Sequence, residues 1–257
     1  NKKPIDVYNE MQKEHPTAAN LIPDAKKHLE DIRQFLIDKK IITMPSEVRV
    51  KVEETLPYLR ETSTASMDTP GPFEEKATEA YYYITPVNMK WTPSQQEDWL
   101  MQFNYYGTDI VSIHEAYPGH YTQFLHLNAS DASKIQKIFG SYAFIEGWAH
   151  YTEKMLVEAG FAQDGDSIRA AKYRLAQSGE ALLRLCRLYV SINTHCHGMK
   201  LDDATKFFMD NWHQGEKSSS QEALRGTFDP GYLFYTLGKL QILKLREDYK
   251  KQEGDNY

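Results

Sequence analysis

The chain has 257 residues, of which 41% are hydrophobic and 26% are charged, and its formal net charge at pH 7 is −6. This composition indicates a globular protein with a sizeable core, in one large domain or two small ones. The acidic balance and the short, scattered basic runs argue against a phosphate-binding surface, so we expect no nucleic acid among the partners.

The N-terminal part of the chain changes from a helical to an alternating pattern. Apolar residues recur at helical spacing within residues 4–40, which predicts helix there. Valines alternate with charged residues in 48–52, which predicts a half-buried strand. We assign residues 1–79 to an N-terminal helical segment with short strands, continuous with the main domain.

Two further stretches precede the main helical region. Residues 62–72, TSTASMDTPGP, have the composition of a turn-rich loop. Residues 80–87, AYYYITPV, are aromatic and β-branched, which favours a strand, and Pro86 indicates a sheet edge or a strand end. An edge strand near an active site could bind an extended peptide by main-chain hydrogen bonds, although a strand that buries its tyrosines in the core fits equally well.

Residues 80–257 form the predicted main domain, which is helical from Thr92 onward. Thr92 and Pro93 begin one helix, and we expect Thr108 to cap the next. Cys186 and Cys196 lie on one predicted helix, about 15 Å apart along its axis, which is too far for a mutual disulfide. Further helices are expected from Ser130 or Asp131, over 141–160 with Gly160 as C-cap, over about 166–198, and at 201–213, 219–226 and 230–251.

Targeting and membrane signals are missing from the sequence. No stretch approaches the roughly 20 apolar residues of a transmembrane helix, and the first residues, NKKPIDVYNEM, contain no hydrophobic signal region. Because the chain does not begin with Met, we expect a fragment or processed product whose targeting segment is lost. The compartment therefore stays open between the cytoplasm and an extracytoplasmic location such as the periplasm.

The segment TDIVSIHEAYPGHYTQ, residues 108–123, carries His114, Glu115 and His120. Neutral imidazole binds zinc, and a neighbouring glutamate can take a proton from zinc-bound water, so this grouping indicates a zinc hydrolase. The familiar zincin helix has its histidines four residues apart. A spacing of six would leave these two about 120° apart around a straight helix.

Pro118 and Gly119 offer a way to use the longer spacing. Pro118 cannot donate a hydrogen bond to the carbonyl of His114 and crowds it, so the helix must deform. Gly119 supplies conformational freedom for the chain to restart, which would turn His120 towards the face of His114. The alternative is a Pro-Gly pair that simply ends a helix beside two surface histidines.

A catalytic zinc usually has three protein ligands, and Glu146 is the best candidate for the third. It lies in IEGWAHYTE, on a predicted helix that follows the first motif closely enough for the two helices to pack together. His150 and Glu153 share its face and could hydrogen-bond to the ligands. A solvated acidic face is the alternative.

At this point the chain resembles a known family. HEAYPGHYTQ (114–123) and EGWAHYTE (146–153) look like the paired signatures of DUF885, a bacterial family of unassigned function whose members are regarded as zinc metallopeptidases of the gluzincin type. RLCRLYVSINTHCHG (184–198) and DPGYLFYTLGKLQILKLRE (229–247) are similar to two further family motifs. The resemblance covers about residues 80–248. Members are usually about twice as long, so it implies a C-terminal, catalytic half whose N-terminal half is absent from this chain.

The resemblance implies that His114, His120 and Glu146 bind Zn²⁺ and that Glu115 is the general base. The spacing of these residues leads to the same assignment. The chain departs from the family where Tyr121 replaces a common second histidine, which puts its substrate preference in doubt.

The same resemblance matches His195 and Tyr235 with family positions, although SIN precedes His195 where the family usually has an aspartate followed by Thr-Gly. Either side chain could stabilise the oxyanion of a tetrahedral intermediate. The alternatives are a core tyrosine and a histidine that interacts with a helix dipole. Several histidines and arginines are weaker candidates: His126, His197, His213, Arg184, Arg187 and Arg225. One of the arginines could bind a peptide carboxylate.

The sequence thus predicts a mainly α-helical protein with a small β-element and a zincin-like, gluzincin-type domain. We expect it to use Zn²⁺ to hydrolyse a peptide or small amide substrate. A zinc amidase acting on a non-peptide substrate is one alternative. A helical binding module with a vestigial metal site is the other.

Overall fold

The computed structural model describes residues 3–74 and 78–254. Helices dominate this part of the chain, as predicted, and no helix in it is long and apolar enough to cross a lipid bilayer. The helices are α1 (Pro4–Gln12), α2 (Leu21–Asp38), α3 (Pro93–Gln102), α4 (Tyr105–Glu115), α5 (His120–Ala129), α6 (Lys134–Ile138), α7 (Tyr142–Glu158), α8 (Ser167–His197), α9 (Leu201–Trp212), α10 (Glu216–Gly226) and α11 (Phe234–Glu253), with 3₁₀ turns at Pro57–Leu59 and Pro230–Leu233.

The strands β1 (Lys51–Glu54), β2 (Ala65–Asp68) and β3 (Tyr81–Ile84) form one small sheet in the order β1-β3-β2. β3 is therefore the central strand, parallel to β1 and antiparallel to β2, so the sheet-edge alternative for Pro86 is wrong and the strand-end alternative is confirmed. Pro86 lies beyond the end of β3, so it interrupts no ladder. The expected loop 62–72 contains β2, because pairing with the tyrosines of β3 imposes an extended conformation on a sequence with weak strand propensity.

Several helix boundaries differ from the predicted ones because a different side chain caps the helix. The cap of α4 is Asn104 rather than Thr108, since its Oδ1 accepts a hydrogen bond from the amide of Gly107 at 2.9 Å. The cap of α6 is Ser133 rather than Ser130 or Asp131. The predicted start of α3 is confirmed, with Thr92 as its cap.

One hydrophobic core connects the N-terminal segment to the main helices. Leu29 and Ile32 of α2, Tyr82 of β3 and Ile110 and Ile113 of α4 are all fully buried in it. A second, smaller core joins the C-terminal half of α8 to α9 and α10. The long helix α8 takes part in both cores, and both cysteines on it are free, as predicted.

Helices α7 and α11 approach each other closely at two glycines. A Cβ atom on Gly238 would lie 1.8 Å from the carbonyl oxygen of Ala143, and one on Gly147 would lie 2.4 Å from the carbonyl carbon of Gly238. Only glycine allows this approach. It brings the first turn of α11, with Tyr235, against the part of α7 that carries Glu146.

Candidate metal centre

The Pro-Gly pair interrupts the helix: α4 ends at Glu115, and α5 begins at His120. The amide of Gly119 donates to the carbonyl of Ile113 at 3.0 Å. A Cβ atom at Gly119 would lie 1.7 Å from the carbonyl oxygen of His114. Its φ is −68°, so glycine is required for space rather than for a left-handed backbone. Trp148 of α7 fixes the break, because its Nε1 donates to the carbonyl of Pro118 at 3.0 Å.

The break brings two histidines and one glutamate together. Glu146 Oε2 lies 3.3 Å from Nε2 of His114 and 3.4 Å from Nε2 of His120. Ligand atoms of these three residues all lie within 4.8 Å of one another. In tetrahedral zinc sites, bonds of about 2.0–2.1 Å place ligand atoms about 3.4 Å apart.

The hydrogen bonding of the cluster is incomplete. Within the described residues, Glu146 Oε2 and His120 Nδ1 are buried without a hydrogen-bond partner. A buried carboxylate oxygen without a partner is costly, and a bound cation would remove that cost. The donor set and its spacing therefore fit a zinc ion held by His114, His120 and Glu146.

A second layer of polar side chains orients His114. Its Nδ1 lies 2.8 Å from Glu153 Oε1, and the other carboxylate oxygen lies 3.0 Å from Nδ1 of His150. Arg184 contacts the same carboxylate at 3.2 Å. Since a carboxylate accepts hydrogen bonds, Nδ1 of His114 donates to Glu153, which turns its Nε2 towards Glu146.

The charges of this cluster shift pKa values against the effect of burial. Burial lowers the pKa of His114, but the adjacent carboxylates of Glu146 and Glu153 outweigh it and raise the pKa to about 9. Burial raises the pKa of Glu146, yet the adjacent His120 and His114 hold it well below its ordinary value. Arg184 and His150 do the same for the pKa of Glu153. The carboxylates of the cluster are therefore ionised, as metal ligands and their partners must be.

A cavity of about 230 Å³ opens on the cluster. Glu115 lines it from the last turn of α4 and makes no side-chain hydrogen bond within the described residues. Tyr235 lines it from α11, and its ring stacks on that of His114 with centroids 6.2 Å apart. Burial and the nearby Glu146 raise the pKa of Tyr235, so the phenol keeps its proton. The cavity thus holds a free carboxylate and a protonated donor beside the cluster.

His195 does not lie at this site. It is exposed in the last turn of α8, and its Nε2 donates to the carbonyl of Gly226 at 2.9 Å. That carbonyl ends α10, so His195 satisfies a helix terminus. The structure does not bring His195 to the cavity, so it gives the oxyanion role no support, and the hydrogen bond to the end of α10 is the contact that this side chain makes.

Sequence reasoning missed one wall of the cavity, which is formed by Thr64 and the first three residues of β2. Nothing in TSTASMDTPGP indicates a strand or a site. The stretch reaches the cavity because β2 pairs with β3, whose aromatic pattern was the only available signal. Two glutamates that line the cavity, Glu180 and Glu222, were also missed. Glu180 pairs with Arg184 one turn further along α8, and the buried Glu222 of α10 pairs with Arg187 of α8.

Fold and site together define a mainly helical protein with a buried His-His-Glu cluster beside a small cavity. The chain belongs to the bacterial family of proteins of unknown function DUF885, whose model matches residues 3–257. The match extends well beyond residues 80–248, to which the motif resemblance was confined, and includes the N-terminal helices and the sheet. No curated protein matches the sequence.

Two solved structures are similar to this chain. One is a predicted lipoprotein of unknown function from Shewanella oneidensis, with a TM-score of 0.79 and 26% identity, covering 98% of this chain and 44% of that one. The other, a predicted lipoprotein from Colwellia psychrerythraea, has a TM-score of 0.79 and 22% identity, covers 98% of this chain and 41% of that one, and shows the fold alone. The chain therefore spans less than half the length of either protein.

Proposed function

We propose that this chain is a zincin-like, gluzincin-type domain that hydrolyses peptide bonds with a zinc ion. The observation that carries the proposal is the approach of Glu146 Oε2 to Nε2 of His114 and of His120, at 3.3 and 3.4 Å, in a cavity that also contains Glu115. When bound to these three residues, zinc would polarise a carbonyl group and lower the pKa of water.

Glu115 is the general base of the proposed reaction. It follows His114 directly, lines the same cavity and has its carboxylate uncommitted within the described residues. It accepts a proton from the attacking water and later delivers that proton to the leaving amine. Tyr235 donates its phenolic proton in a hydrogen bond to the oxyanion that develops on the substrate carbonyl.

β2 supports a peptide as the substrate. The amide of Thr85 donates to the carbonyl of Thr64 at 2.9 Å, and Ser66 lies opposite Tyr83 in the same register. Bonding alternates along an antiparallel pair, so Ala65 and Met67 direct their N–H and C=O groups away from β3. Both residues line the cavity. An extended peptide could add to this edge as a further strand.

The test compares the zinc-loaded wild type with Glu115→Gln on a mixture of short peptides, with products identified by mass spectrometry. We expect wild-type cleavage, and a loss of at least about 100-fold in kcat for a variant that still binds zinc. Glu97→Gln, which changes a half-exposed glutamate on α3, is the matched control. Undiminished cleavage by Glu115→Gln contradicts the assigned role, and hydrolysis of non-peptide amides alone favours an amidase.

A further inference from the structure

Three arginines line the cavity, and two of them are neutralised by buried carboxylates. Arg187 donates from Nε and Nη2 to the two oxygens of Glu222, at 2.7 Å each. Arg184 contacts Glu153 and Glu180. Both arginines are nearly fully buried, and the carboxylates beside them balance their charges.

Arg225 differs from these two. Its side chain is 25% exposed, and its closest carboxylate, Asp229, lies 3.5 Å away. That carboxylate is already engaged, since it accepts from the amide of Gly231 at 3.0 Å and from Tyr142 at 3.4 Å. Arg225 donates to the hydroxyl of Tyr235 at 3.4 Å. Within the described residues its guanidinium makes no other hydrogen bond or ion pair, and Arg225 lines the cavity.

The position of Arg225 places a positive charge at one end of the cavity. Its guanidinium carbon lies 5.4 Å from the ring centroid of Tyr232, which holds the planar group against an aromatic face. The contact with Tyr235 puts it next to the proposed oxyanion donor. A guanidinium held in this way matches a carboxylate, which accepts two parallel hydrogen bonds from it.

The direction of β2 indicates which end of a bound peptide would lie near the charge of Arg225. The chain enters β2 from residues 60–64, and Gln221 of α10 donates to the carbonyl of Arg60 at 3.2 Å. Arg225 is one turn further along α10. A peptide that pairs antiparallel with β2 therefore has its C-terminal end on the side of α10, where Arg225 lies.

We propose that Arg225 binds the free carboxylate at the C terminus of the substrate, which makes the protein an exopeptidase that releases a C-terminal residue. This inference rests on the proposed peptide hydrolysis for its reaction, but the carboxylate subsite itself can be tested without turnover. The small cavity, about 230 Å³, suits a terminal residue better than the middle of a long chain.

The first experiment measures kcat/KM for N-acetyl-dialanine and for its C-terminal amide. The wild type should prefer the free acid by about 10- to 100-fold, the range that a charged hydrogen bond provides. Arg225→Gln should bring this ratio close to one, and Arg225→Lys should leave an intermediate ratio because the charge remains without the paired donors. Arg169→Gln, a half-exposed arginine on α8, is the control and should keep the wild-type ratio.

The second experiment measures binding of the same two compounds to zinc-loaded Glu115→Gln protein by calorimetry. Selective binding of the acid that Arg225→Gln removes supports the carboxylate subsite, even where no turnover is detected and the proposed hydrolysis fails. Equal affinities for acid and amide, or no detectable binding of either, overturn the inference. The acid-to-amide ratio of the wild type decides the question if a variant at Arg225 does not fold.

Discussion

Gly147 of α7 and Gly238 of α11 pack backbone against backbone. The Cβ that alanine would add at Gly238 falls 2.9 Å from the Cα of Gly147 and 1.8 Å from a carbonyl oxygen of α7. Tyr235 lies one turn before Gly238 and reaches His114 from there. A contact between two helices thus sets the position of a proposed catalytic side chain.

Gly238→Ala should therefore force α7 and α11 apart. We expect it to lower the free energy of unfolding by about 1–3 kcal/mol or more, the usual cost of overpacking, as measured by urea denaturation. Gly226→Ala is the matched control on α10, because its Cβ would meet only ordinary contacts, the nearest at 3.4 Å. Equal stability of the two variants would contradict this account of the helix crossing.

Gly119→Ala tests whether the helix break presents His120. The added Cβ would collide with the carbonyl oxygen of His114 at 1.7 Å, so α5 must shift and carry His120 with it. We expect zinc affinity, measured by competition with a chromophoric chelator, to fall by at least roughly 10- to 100-fold. That is the loss typical of removing a side chain that hydrogen-bonds to a metal ligand, and here a ligand itself is displaced. If the folded variant binds zinc with an affinity within about twofold of the wild type, glycine at position 119 is not needed to position His120.

Glu153→Gln tests the role of the residue that orients His114. The neutral amide cannot hold the Nδ1 proton of His114 as a carboxylate does, at the 2.8 Å observed. We expect a 10- to 100-fold loss of zinc affinity, roughly, in titrations of the folded variant. Glu158→Gln on the same helix faces solvent and is the control. The same affinity in both variants would mean that Glu153 has only a structural role.

Both halves of the candidate site could be proposed from the sequence because their signals are local. A proline between the two histidines must interrupt a helix, and Glu146 lies among residues that a helix would bury. The role of glycine at position 119 was also expected, but for conformational freedom, whereas the structure shows a constraint of space: the backbone of His114 leaves no room for a Cβ atom.

The rest of the site depends on long-range contacts. The sequence of β2 is small and polar, and it becomes a strand only by pairing with β3. Nothing local distinguishes Arg225 from Arg187, since their difference is whether a distant glutamate neutralises them. His195 matched a motif by position, yet the end of α8 points it to a carbonyl of α10 instead of the cavity.

His28 should make stability depend on pH. Its hydrogen bond to Asp109, at 2.8 Å, raises its pKa. The stabilisation is therefore complete below the unfolded pKa of about 6.5 and is lost as pH rises through the higher folded pKa. We expect His28→Gln to cost roughly 0.5–1 kcal/mol more near pH 6 than near pH 9, by denaturant titration at both pH values. His197→Gln controls for the loss of an exposed histidine, and an equal cost of His28→Gln at both pH values would contradict the linkage.

The zinc content of the purified chain tests the central claim most directly. The experiment uses the wild type, Glu115→Gln and Glu146→Ala. Each protein is dialysed against a small excess of zinc and freed of unbound metal, and its zinc content is measured by inductively coupled plasma mass spectrometry. The account predicts about one zinc per chain in the wild type and in Glu115→Gln, and far less in Glu146→Ala, which loses a ligand. A wild type without stoichiometric zinc, or a Glu146→Ala variant that retains one zinc per chain, would contradict the account.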